Sequence, residues 1–128
     1  MANFKYEHPE DVISPQEYVK KVFPIFDGTK IIDEDGQNYT MLDNFSLAIL
    51  QWKDEYTLGI RWNLTMREYQ DPDKQNGIKQ CKGMPVSFTH PVWFVLPKLL
   101  HQSVLDSMKS FITEEKRKEI YDKLRIHL

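Results

Sequence analysis

Apolar and polar positions alternate most regularly between Tyr56 and Leu64. Tyr56, Leu58, Ile60, Trp62 and Leu64 fall on one side of an extended chain, and Thr57, Gly59, Arg61, Asn63 and Thr65 on the other, because successive side chains of a strand point to opposite faces. The first side is continuously apolar and requires a core. The second is small, polar and cationic, a surface suited to receiving a partner. Phe45 to Trp52 reads as a second strand, with Phe45, Leu47 and Ile49 on one side. The link Lys53-Asp54-Glu55 is short enough to join the two as a hairpin.

Elsewhere the pattern changes period. Ser14-Pro15-Gln16-Glu17 carries the signals of a helix start: a capping hydroxyl, proline at the first helical position and an acid to close a capping box. Tyr18, Val19, Val22 and Phe23 supply an apolar stripe and Pro24 a stop, so a helix is predicted over 14–23. Residues 1–13 read as a loose arm. A short strand is expected from Thr29 to Ile32, a turn at Asp33–Gly36 and a return strand from Gln37 to Leu42. Arg67 to Gln80 reads as a long polar loop. Met84 to Phe88 is a short strand that Pro85 assigns to an edge or bulge, and Pro91 to Leu96 extends it or begins the last layer. From Pro97, the residues Leu99, Leu100, Val104, Leu105, Met108, Phe111 and Ile112 recur at helical spacing. Thr113 then caps a charged helix running toward Leu128, with Ile120, Tyr121 and Leu124 as its stripe. The sum is one α+β domain over 1–128 with its core from residue 14 onward. It has an antiparallel sheet of four to five strands, an N-terminal helix and one or two C-terminal helices.

With 128 residues, 41% of them hydrophobic and 12% aromatic, the chain suffices for a single core. Its formal net charge of -2 supplies no global attraction to nucleic acid or anionic membrane, so any basic site must be local. One cysteine, Cys81, allows no internal disulfide and favours a reducing compartment. Lys79 and Lys82 beside it would lower its thiol pKa, although a plain loop or edge-strand cysteine is the simpler reading. The N-terminus has no apolar h-region. The longest apolar run, Val92 to Leu96, is far short of a membrane span. A soluble, cytoplasmic protein without a membrane partner is expected.

Chemistry-bearing motifs are sparse. His8, His90, His101 and His127 lack metal-ligand spacing and read as surface or cap residues. Asp71 and Asp73 flank Pro72 without the acidic ladder of a calcium loop. Ser87, Cys81 and His90 lie close in sequence, but no glycine elbow accompanies them. None of the five glycines sits in a nucleotide cradle. The expectation is a non-enzymatic protein with no metal and no cofactor.

The polar side of the 56–64 strand is more informative. Arg61 stands there with Asn63, Thr57 and Thr65, followed in sequence by Arg67, Lys74, Lys79 and Lys82, while Trp52, Tyr69 and Trp93 offer flat rings. Single-stranded nucleic acid binds to such a set, cations tracking phosphates and aromatic faces stacking on bases. On this reading Arg61, Asn63, Arg67, Lys79, Lys82, Trp52 and Tyr69 form the interface. The opposing reading makes Trp52 and Trp93 core residues and the cations a solvated face.

The succession of Phe45–Trp52, Ile60-Arg61, Asp71-Pro72-Asp73, Lys82-Gly83 with Ser87, and a helix near Pro97–Ile112 resembles the transcriptional positive cofactor four family of single-stranded-DNA-binding coactivators. The resemblance runs over residues 45–112. It implies curved four-stranded sheets that dimerise through their helices and hold unpaired DNA on the sheet faces. Arg61 and Lys82 would then be phosphate contacts, and Trp52 or Trp62 a base stacker. The alternative is a protein-interaction module, an accessory or inhibitor protein of phage type, that binds no nucleic acid. The two differ in what the surface must show: cations gathered on one face, or an apolar patch rimmed by polar residues.

Overall fold

The computed structural model describes residues 4–28 and 45–128; the strand, turn and return strand expected over 29–42 lie outside them. In chain order the described elements are β1 (Val19–Asp27), β2 (Phe45–Trp52), β3 (Glu55–Trp62), α1 (Met66–Tyr69), α2 (Pro72–Gln75), β4 (Val86–Ser87), β5 (His90–Pro91), β6 (Phe94–Val95), α3 (His101–Ser107) and α4 (Glu114–Leu124). Four strands form an antiparallel sheet in the order β1-β2-β3-β6, and β4-β5 form a separate small hairpin. The protein is α+β.

The β2–β3 hairpin is as the alternation predicts, in unbroken register from Phe45 opposite Trp62 to Trp52 opposite Glu55. Its two-residue link places Lys53 at φ +58°, the positive φ that tight hairpin turns require. On one side of the sheet, Ile25, Leu47, Ile49 and Leu58 bury against Leu96, Leu105 of α3, Ile112 and Ile120 of α4. On the other, Val19, Val22, Ala48 and Leu50 pack with Trp93 and Val12. Trp93 donates its indole N–H to the Val12 carbonyl at 2.8 Å, which ties the N-terminal segment across this side. Residues 9–12 therefore form a packed strap, where the sequence suggested a loose arm.

Covering both sides changes the reading of β3. The side bearing Gly59, Arg61 and Asn63, expected to lie open, is buried. A Cβ on Gly59 would fall 2.6 Å from a Leu50 methyl and 3.3 Å from the Trp93 Cβ, so a side chain here would displace Leu50 and crowd Trp93 where it closes over the sheet.

The predicted helix over 14–23 is corrected: the chain makes a turn at 16–18 and then runs as β1. Val19, Val22 and Ile25 are buried, and branched side chains fit a half-buried pleated surface better than a helix. Pro24 is accommodated because β1 lies at the edge of the sheet among the described residues, with register shifts at Val19/Lys21 and Pro24/Phe26. The loop expected over 67–80 contains α1 and α2. The helix expected over 97–112 is the short α3 flanked by 3-10 turns at Lys98–Leu100 and Lys109–Phe111, which leaves Leu99 89% exposed. α4 begins as predicted, with the Thr113 hydroxyl accepting from the Lys116 N–H.

Candidate interaction surface

Two buried charges fix the segment that follows α2. The Arg61 guanidinium, 3% exposed, donates to the carbonyls of Val92 and Lys82. Burial lowers its pKa to about 10, with Glu7 and Glu68 opposing the shift, so it remains a charged donor at neutral pH. From the other side, the Glu68 carboxylate accepts from the backbone N–H groups of Lys82 at 2.7 Å and Gly83 at 3.0 Å. It also accepts from Lys74 Nζ at 2.9 Å and from Thr65 N at 3.0 Å, closing a capping box at the start of α1. Burial alone would raise the Glu68 carboxyl; hydrogen bonds from Lys74, Thr65 and Lys82 hold it below its ordinary value instead.

Between these clamps, Gly83 adopts φ +68°, and a Cβ there would lie 1.9 Å from the Trp62 carbonyl oxygen. That close approach lets Met84 exchange two backbone hydrogen bonds with Trp62, both 2.8 Å. The result is an open groove of about 240 Å³ lined by Ile60, Arg61, Trp62, Met84, Pro85 and Phe94. Ile60 and Trp62 lie on the same side of β3, and Phe94 stands opposite Ile60 in register. Trp62, Met84 and Phe94 are 37%, 56% and 56% exposed. The apolar surface continues as a row of rings: Trp62 meets Phe45 at 5.8 Å, Phe45 meets Phe26 at 5.1 Å, and Phe26 meets Phe111 at 5.6 Å.

The residues expected to form a nucleic-acid interface are not gathered on one face. Arg61 points inward, and the buried Asn63 donates to Ser46 Oγ at 2.7 Å. Trp52 sits at the opposite end of the hairpin from Trp62 and stacks on Tyr18 at 5.3 Å. Tyr69 stacks on Phe4, and Lys79 pairs with Asp73 at 3.5 Å. Arg67 and Lys82 are exposed. Arg61 and Lys82 do meet, but through the Lys82 carbonyl. Asp71 caps α2 by accepting from the Asp73 N–H.

One further expectation is corrected. His101 is buried, its Nε2 at 3.1 Å from the Leu96 carbonyl, while His8, His90 and His127 are exposed. The Cys81 thiol is pushed up to about 12, first by burial and then by Glu68 and Asp71, with Lys74 opposing. The lowering that Lys79 and Lys82 suggested is not found, in keeping with the simpler reading of this cysteine.

The sequence reading did not single out Met84, Phe94 or Glu68. The available signal was the adjacency of Trp93 and Phe94: neighbouring strand residues point to opposite sides of the sheet, so the two rings cannot share one face. Among the described residues, no group of three or more His, Cys, Asp or Glu side chains is gathered as a metal ion would require. No helix there is long and apolar enough to cross a membrane. No family model, no curated protein and no solved structure matches the chain.

Proposed function

We propose that the protein is a non-catalytic protein-interaction module that holds a polypeptide in the groove between Trp62, Met84 and Phe94. The exposure of those three side chains around one apolar recess carries the reading. At about 240 Å³ the groove is smaller than the roughly 300–1,000 Å³ of small-molecule sites. It suits one apolar anchor side chain, the element that dominates protein interfaces. Its walls are held by the Arg61 and Glu68 clamps, so little ordering entropy is lost on docking.

Single-stranded nucleic acid would need cations along the aromatic faces. Of the four expected, Arg61 is turned inward and Lys79 is engaged by Asp73, which favours the polypeptide reading. The test is selection of a displayed random-peptide library on the full chain, followed by titration against Phe94→Asp. Peptides sharing an apolar anchor and losing affinity for Phe94→Asp are expected. Salt-sensitive binding of unpaired oligonucleotides, with no peptide enrichment, would overturn the reading in favour of nucleic acid.

A further inference from the structure

The β4–β5 hairpin presents a large apolar side chain that the described residues leave uncovered. Ser87 pairs with His90, so Phe88 and Thr89 form the two-residue turn, at φ +49° and +68°. Both positions of such a turn favour Gly, Asn or Asp, and a bulky or β-branched residue there is strained. Phe88 is nevertheless 93% exposed. Neither the turn nor the core gains from a phenyl ring at this point. The same segment builds the groove: Met84 and Pro85 line it, and the Val92 N–H closes the hairpin base on the Pro85 carbonyl at 3.1 Å. The anchor and half of the recess lining therefore belong to one segment, residues 84–94.

We infer that the polypeptide docked in the groove is a second copy of this chain, with Phe88 of each copy seated in the recess of the other. This rests on the groove being a polypeptide site. A reciprocal contact of this kind is the isologous interface of a two-fold dimer. The areas agree. Phe88, Phe94 and Trp62 together expose on the order of 300–450 Å², taking ~150–250 Å² for a whole aromatic side chain. Met84 and Val86, also exposed, add to that. A standard interface takes about 800 Å² from each partner, a little over half of it apolar. Edge pairing through β1 is disfavoured by exposed Lys20 and Lys21, by Pro24 and by two register shifts.

The test is sedimentation equilibrium of the full chain from about 1 to about 500 µM, a range that reads micromolar affinities. Wild type is expected to dimerise. Phe88→Asn is expected to keep or raise the thermal midpoint, since Asn tolerates the turn conformation, while weakening dimerisation roughly 30-fold or more. That combination separates lost docking from lost folding. Phe94→Asp should also be monomeric, and the two variants mixed should associate more tightly than either alone, because one intact contact is restored. A wild type monomeric throughout the range, or Phe88→Asn dimerising like wild type, overturns the inference. If peptides selected on the groove still depend on Phe94 in that case, only the second-copy assignment falls. If they do not, the docking reading falls with it.

Discussion

Replacing Arg61 with alanine separates a structural clamp from a surface cation. As an exposed phosphate contact, Arg61 would be removable without loss of stability. The structure requires the opposite. Two charge-assisted hydrogen bonds to the Lys82 and Val92 carbonyls are lost, at ~1.5–3 kcal/mol each, together with packing of the side-chain stem. Opposing this, a guanidinium held at about 10 in place of 12.5 carries roughly 3 kcal/mol of unfavourable burial, at ~1.36 kcal/mol per pH unit. With ~0.8 kcal/mol for each of the three stem methylenes, the balance is a net loss of about 3 kcal/mol, which lowers the thermal midpoint of a chain this size by roughly 10–15 °C. Urea denaturation followed by tryptophan fluorescence measures it, read as a lower midpoint at unchanged slope. An Arg61→Ala variant with the wild-type midpoint and abolished oligonucleotide binding would refute the clamp and restore the cationic face.

Two further outcomes follow from the same segment. Because the Glu68 carboxyl is held below its ordinary value, its stabilisation is complete above the unfolded pKa of about 4.3 and is lost as pH falls through the lower folded value. The thermal midpoint of wild type should therefore fall more steeply than that of Glu68→Gln as pH drops below about 4.3; parallel curves would show that the carboxylate contributes nothing. Cys81, 1% exposed with its thiol pushed up to about 12, should resist a disulfide reagent at pH ~8 until the chain is unfolded, since the thiolate is the reacting species. Immediate reaction of the native protein would contradict that burial.

Local pattern determined what local geometry could settle. The alternation of 56–64 and the short link Lys53-Asp54-Glu55 gave the hairpin, because side-chain period and a tight connection leave a strand pair little freedom; its two-residue turn and its register came from the structure. Thr113 gave the start of α4, since a cap is satisfied within one turn of its own residue. The capping signals at Ser14–Glu17 misled because burial of Val19, Val22 and Ile25 against β2 outweighed a local cap. One sequence clue to the two-sided sheet was present. Leu47-Ala48-Ile49-Leu50 is apolar without alternation and wholly buried, the pattern of a strand covered on both sides. What lies over that second side is decided by Val12 and Trp93, 81 positions apart, and no short window holds both. Their packing turned Arg61 from an outward cation into an inward clamp, and that clamp set Met84 beside Trp62. A residue's side of a strand is written in its own sequence, but whether that side meets water or protein is a property of distant chain, and here it decided where the candidate site lies.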